Sequence, residues 1–269
     1  MPTTIQAALL GVVQGLTEFL PVSSSAHLIL ARAFFGFDGD QFGLFFDVAC
    51  HVGTLVAVLI YFRREVAQMI LSLPRLFNPG AVQGARLIWL LVIGTVPAVI
   101  VGLLFNKRIE EHMRVPQVAA IALALGAIGF LVAERVGRKT RSDRSLTMAE
   151  AFWLGCAQAV ALIPGVSRSG VTITVALLFG LRRADAARFI FLLAIPAILA
   201  AAVKEGVKVL KAGLDADMAT LFAIGIVSSA IVGYLAVKFF IRYFANHSLD
   251  VFAWYRLALA GAVVMWLVR

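Results

Sequence analysis

GVVQGLTEFLPVSSSAH, residues 11–27, decides how this chain is read. An apolar stretch from Thr4 to Phe37 is interrupted only by LPVSSSAH at residues 20–27. Proline ends the helix before it, because it has no N–H and restricts its predecessor. Serine then caps a new helix. The pattern predicts two half-helices meeting at a polar turn. A second stretch, Ala149 to Leu181, is broken in the same way by IPGVSRSG at residues 163–170. The two align at a fixed offset of 144: Leu10 with Leu154, Gly11 with Gly155, Gln14 with Gln158, Val22 with Val166, Ser23 with Ser167 and Ser25 with Ser169. Pro21 and Pro164 miss the register by one. Leu and Val recur in any two apolar helices. Gly, Gln and two Ser at one offset point to an internal duplication, with halves at about 1–137 and 145–269.

Composition sets the solvent. Of 269 residues, 61% are apolar and 14% charged, and the mean hydropathy is +0.94; an ordinary soluble domain is about 25% charged. A single soluble core would have too little polar surface. Disorder is excluded by the same numbers, and a disulfide scaffold by having only Cys50 and Cys156. What remains is a polytopic all-α membrane protein. Six segments are long and apolar enough to span: Phe42–Phe62, Leu87–Asn106, Val115–Ala133, Phe189–Val203, Met218–Val237 and Val251–Val268. If the two broken stretches re-enter on their own side, each half has three spans, and an odd number inverts the second half. That arrangement puts 14 Lys/Arg on one face and 8 on the other, a stronger bias than the 13 to 9 of eight parallel spans. Both termini then lie outside. The net charge of +9 is read as membrane orientation and attraction to anionic headgroups, not nucleic-acid binding, since no nucleic-acid module is recognisable. No Lys or Arg precedes Arg32, so a cleaved signal peptide is not expected. Without a G-x-x-x-x-G-K-[ST] loop, nucleotide-driven transport is not expected either.

Two constellations carry chemistry. Gln14 and Glu18 are spaced i, i+4 on one helical face, followed at the break by Ser23, Ser24, Ser25 and His27. A carboxylate in a membrane helix costs a few kcal/mol and marks a functional site by default; the plainer reading is a solvated Glu18 at the interface. At the second break, Gly165, Ser167, Arg168, Ser169, Gly170 and Thr172 combine a close-approach backbone, hydroxyls, free N–H groups at a helix start and a guanidinium fork. That is the chemistry of an anion site. Its plainer reading is an arginine capping a turn at the surface. Folded against each other, the two breaks would form one polar pocket suited to phosphoryl transfer, with acid–base help from the first half and charge stabilisation from the second. Asp47 and His51, also i, i+4, could line it or be satisfied core groups. Asp250 and Arg256 are expected to snorkel to an interface, and KRIEEHMR (107–114) to be a solvated loop. The cysteines have no metal-ligand spacing.

GVVQGLTEFLPVSSSAH and PGVSRSGVTIT (164–174) resemble the two signature regions of the bacterial undecaprenyl-diphosphate phosphatase, or bacitracin-resistance, family, and the resemblance extends over essentially the whole chain. It implies hydrolysis of the C55 isoprenoid diphosphate to its monophosphate, which recycles the lipid carrier for cell-wall synthesis. It also implies a divalent metal (magnesium or calcium) and a bacterial inner-membrane location. The implied fold has six spans plus two re-entrant hairpins in inverted repeat, with the pocket open to the outer face. By position, Gln14 and Glu18 fill the family's [EQ]-x-x-x-E motif, Ser24 and His27 the following loop, and Ser167, Arg168 and Thr172 the P-G-x-S-R-S-x-x-T motif. Where some members carry Glu, Gln14 is an amide. It is neither a base nor an anionic ligand, so the acid–base and metal burden falls on Glu18. Catalytic roles are therefore expected for Glu18, Ser24, His27 and Arg168. Substrate binding is expected from Gln14, Ser23, Ser25, His51, Ser167, Ser169 and Thr172, and metal binding from Glu18. Either Ser24 attacks phosphorus, or Glu18 or His27 activates a water. The expected partners are a polyprenyl diphosphate, membrane lipid and, in a homodimer, a second copy of the chain. A transporter or flippase of a phosphorylated lipid is the rival reading, and a structural scaffold a third.

Overall fold

The computed structural model describes residues 2–37, 42–77, 83–213 and 215–268. Among these there is no strand, only eleven α-helices, two short 3-10 turns and one isolated bridge between Arg141 and Leu181. The helices are α1 (Thr3–Phe19), α2 (Ser24–Phe35), α3 (Leu44–Tyr61), α4 (Arg63–Ser72), α5 (Gln83–Met113), α6 (Pro116–Val136), α7 (Met148–Val160), α8 (Arg168–Leu178), α9 (Arg183–Ala212), α10 (Ala216–Asn246) and α11 (Asp250–Val268).

Six of them, α3, α5, α6, α9, α10 and α11, are long and apolar enough to cross a membrane. They coincide with the six expected spans, although α5, α9 and α10 run further, to 30 or 31 residues. α5 continues through Met113. The segment 107–114 is therefore mostly helix rather than the expected loop, because nothing in KRIEEHM breaks a helix and Val115–Pro116 is the first stop. Arg269, counted above on the outer side, lies outside the described residues.

Both expected helix breaks are present. Leu20, ahead of Pro21, is extended (φ −67°, ψ 140°) and ends α1. Ser23 starts α2, its Oγ accepting from Ala26 N. Ser167 starts α8 in the same way, its Oγ accepting from Gly170 N at 3.2 Å. Both serines have left-handed φ angles, 75° and 73°, unusual for a residue with a Cβ. The matched sequence thus produces the same strained turn twice, 144 residues apart.

Partners are exchanged between the halves. The first segment of one break, α1, packs chiefly on α10, and its counterpart α7 packs on α5. α6 and α11 pair with each other, as do α3 and α9. The matched glycines explain the first exchange. A Cβ at Gly11 would press on Gly225 O, and one at Gly155 on Pro97 Cδ. Small residues let α1 and α7 approach their partners to backbone contact, the usual device where lipid supplies no hydrophobic drive between helices. Large apolar side chains such as Leu104, Ile121, Leu125, Ile231 and Trp254 point outward and are exposed. Aromatic residues fill the middle, Phe19 edge-on to Phe191 at 5.3 Å, with Phe240 beyond.

Candidate active site

The two breaks touch. Ser169 Oγ donates to Leu20 O (3.3 Å), and Gly165 N donates to Ser25 Oγ (3.4 Å). Each break thus uses the same serine of its repeat to hold the other. A single residue locks the junction. Arg256 is fully buried and donates to the carbonyls of Pro21, Ala122, Leu123, Gly165 and Val166 at 3.0–3.3 Å, with Phe130 beneath its guanidinium at 4.9 Å. This overturns the expectation that Arg256 snorkels. It lies six residues into α11, about 9 Å from the helix start, and unpaired carbonyls at two helix breaks satisfy its donors where it stands. Gly126 and Gly170 leave it room, since a Cβ on either would collide with the guanidinium.

Around this junction the polar side chains converge on Glu18. Gln14 Nε2 donates to Glu18 Oε2 at 2.9 Å, and Ser24 Oγ donates to the same oxygen at 2.7 Å. His51 Nε2, from α3, lies 3.3 Å from it in ion-pair geometry, and its Nδ1 is 2.7 Å from Asp47 O. Arg168 Nη1, from the other half, is 3.9 Å from Glu18 Oε1. Carboxylate, hydroxyl, imidazole and guanidinium therefore meet at one point, although the imidazole is His51 of α3 and not the His27 of the first break.

His51, Arg168 and Ser25 line a cavity of about 280 Å³ that extends toward Ile109, Glu110, Arg114, Lys204 and Glu205. Its walls are apolar, from Val99, Leu103, Leu162, Ala197 and Ala201. A pocket with apolar walls between charged groups fits an amphiphile whose headgroup is anionic.

Several expected contacts fall elsewhere. Thr172 is fully buried and its Oγ1 donates to Arg168 O at 2.5 Å, so the hydroxyl is used within its own helix rather than in the cavity. Ser23, Ser167 and Ser169 are buried and hold caps and the junction, and Gln14 sits behind Glu18. His27 is not brought to Glu18. Its Nδ1 is 2.8 Å from Ser23 O, its Nε2 is 2.7 Å from Tyr255 Oη, and its ring stacks on Tyr255 at 5.8 Å. Asp47 binds Arg32 and, at 2.6 Å, Arg114 Nη2. That pair of arginines was not found from sequence. Its only signal was an intramembrane Asp47, which demands a cation without saying which one.

Some residues present could hold a divalent metal. Gln14 Oε1 is buried without a partner, an oxygen beside a carboxylate. Magnesium needs only one or two carboxylates when substrate phosphates and water complete its shell. No group of three or more His, Cys, Asp or Glu with metal-site geometry occurs among the described residues, so Glu18 and Gln14 fit only a metal shared with a phosphate ligand.

On the other face the loop 137–147 is held by charge. Arg141 reaches both carboxylate oxygens of Glu150 (2.6 and 3.1 Å), and this pairing pulls the Glu150 carboxyl down to about 2. Glu150 also closes a capping box with Thr147 at the start of α7.

The description "Bacitracin resistance protein BacA" belongs to the family model that matches residues 7–262. An undecaprenyl-diphosphatase of Rubrobacter xylanophilus is 51% identical over 262 residues, covering 96% of each chain. Relatives of the same name in Trichlorobacter lovleyi and Moorella thermoacetica are 44% and 43% identical, covering 97% and 99% of this chain and 96% and 100% of theirs. With six helices able to span a membrane and a match over nearly all its length, the chain is a multi-pass membrane protein of the BacA family.

Proposed function

We propose that this protein hydrolyses undecaprenyl diphosphate to undecaprenyl phosphate and inorganic phosphate. The observation that carries this reading is the cluster of Glu18, Ser24, His51 and Arg168, of which His51 and Arg168 reach the wall of a largely apolar cavity. The diphosphate enters beside them while the isoprenoid stays along the apolar wall and in lipid. Arg168 and the free N–H groups opening α8 hold oxygens of the terminal phosphate. Ser24 Oγ attacks that phosphorus and gives its proton to Glu18, with which it shares a 2.7 Å hydrogen bond. The bridging P–O bond breaks, and the lipid leaves as its monophosphate. A water then hydrolyses the phosphoserine, and the proton on Glu18 returns to Ser24. His51 holds the Glu18 carboxylate in place. His27, engaged on both ring nitrogens, braces the Ser23 turn. A magnesium or calcium ion would be held by Glu18 and Gln14 and would neutralise charge on the phosphate oxygens.

The exchange of helix partners and the paired serine turns support two re-entrant hairpins in an inverted repeat. The cavity extends toward 109–114 and 204–205, on the face poorer in Lys and Arg, which favours an opening to the outer side of the bacterial inner membrane. The relatives' names favour the hydrolase over a lipid transporter.

The test is phosphate release from farnesyl or longer polyprenyl diphosphate by the purified chain in detergent, with and without chelator. Release that Ser24→Ala abolishes, together with a trapped phosphoserine in the parent, supports the route. Movement of labelled lipid between leaflets without hydrolysis would favour a flippase, and turnover that survives Ser24→Ala would shift the attack to water.

A further inference from the structure

A diphosphate carries two phosphates, and the Glu18–Arg168 cluster accounts for one. One turn along α3 from His51, on the same face, lies Asp47. Its carboxylate is almost fully buried and paired with two guanidinium groups, Arg32 from α2 and Arg114 from the start of the α5–α6 connection. Two cations on one anion leave a local excess of one positive charge. Arg32 is the more enclosed of the two, with its Nε buried and without a partner. Arg114 keeps a quarter of its side chain accessible and lines the cavity. The other charged groups at this end are Glu110, Lys204 and Glu205. Lys204 Nζ donates to Gly102 O, and Glu205 is paired with Lys208.

We propose that Arg114, held in place by Asp47, binds the lipid-proximal phosphate of the substrate, and that this second contact lets the site prefer a diphosphate to a lone phosphate. The inference rests on the hydrolase reading above. Asp47 fixes the fork from one side through Nη2, leaving the rest of the guanidinium to meet a phosphate at the cavity wall. His51, which shares Glu18 with Arg168, and Asp47, which holds Arg114, stand one helical turn of α3 apart, about 5 Å, a separation that two linked phosphates with their oxygens can cover. The apolar wall then receives the isoprenoid beyond Arg114.

The consequences differ for the two products. Lipid monophosphate retains the proximal phosphate, and inorganic phosphate is the terminal one. In the purified full-length protein, Arg114→Gln should raise KM for farnesyl diphosphate by about ten- to a hundred-and-fiftyfold, the range expected for a hydrogen bond to a charged group. It should leave kcat within about threefold. Inhibition by farnesyl monophosphate should weaken by a similar factor, and inhibition by inorganic phosphate should not change. Arg32 still neutralises Asp47 in this variant, so its melting temperature should stay close to the parent's. Asp47→Asn, which frees the fork without removing it, should raise KM by a smaller factor. Lys107→Gln changes net charge equally at an exposed site on α5 and should leave KM unchanged. An unaltered KM in Arg114→Gln, equal weakening of both inhibitors, or an equal effect of Lys107→Gln would each overturn the assignment. A parent protein that releases no phosphate from farnesyl or longer polyprenyl diphosphates would instead overturn the hydrolase reading itself.

Discussion

The two helix breaks have one backbone and two chemistries. Ser23 and Ser167 take the same left-handed turn and cap the helix that follows. The next residue opens that helix, and it is Ser24 in one half and Arg168 in the other. Four residues before Glu18 stands Gln14, which donates to its carboxylate, whereas the counterpart Gln158 donates to Gly94 O. Glu18 itself has Leu162 at its matched position. The same helix start thus reaches one point from two sides, and in the proposed reaction one side supplies the nucleophile and base and the other the anion clamp. Side-chain identity, rather than backbone, separates the halves.

The strongest way to break this comparison is to exchange or erase its asymmetric members. Arg168→Ala should cut phosphate release by about a hundred- to a thousandfold, in line with the loss of a preorganised donor to a developing oxyanion, while the protein still elutes as a folded species in detergent. Near-parental turnover would remove Arg168 from the centre of the mechanism. Ser24→Ala should be as severe, and Glu18→Gln only slightly less so if the carboxylate serves as base.

Next in size is the strut that serves both breaks equally. Arg256→Met leaves the three buried carbonyls of Pro21, Gly165 and Val166 without this donor and should destabilise the fold by at least about 3 kcal/mol. Thermal unfolding in detergent measures this. A melting temperature unchanged from the parent would mean that the junction is held by other contacts. The two capping serines sharpen the comparison at a finer scale. Ser23→Ala and Ser167→Ala each lose a cap worth about 1 kcal/mol and should lower the melting temperature alike, while only activity distinguishes them. A twofold difference in destabilisation would show the two turns to be unequal supports.

The smallest effect lies at Glu150, far from the breaks. Its carboxyl is held at about 2 by Arg141, below the ordinary value of 4.5. A lowered carboxylate contributes stability that is complete above 4.5 and is lost as pH falls toward 2. Glu150→Gln should therefore melt slightly lower than the parent at neutral pH and converge with it near pH 2, with the gap closing over that interval.

Part of this fold is set by local physics alone. Six spans followed from runs of apolar residues, because in lipid a helix must satisfy every backbone group within itself. The breaks followed from proline geometry at Pro21 and from serine capping at Ser23 and Ser167. Residues 107–113 were misjudged because charge density suggests solvent, whereas helix continuity depends only on the absence of a stop. Arg256 was misjudged because an arginine near a helix end snorkels unless acceptors are available inside, and those acceptors come from three other segments. Thr172 matched its motif, but its hydroxyl turned to its own helix. His27 matched as well, but found Tyr255, 228 residues away, rather than Glu18.

Local order thus determined the helices, the two broken turns and the kinds of chemistry on offer, since each depends on neighbours within a few residues. Which of those groups touch was left to long-range packing. Glu18 meets His51 and Arg168, Asp47 meets Arg114, and Arg256 fills the space under both turns because helices from both halves are pressed together by small residues and by buried polar groups that find no water inside the protein.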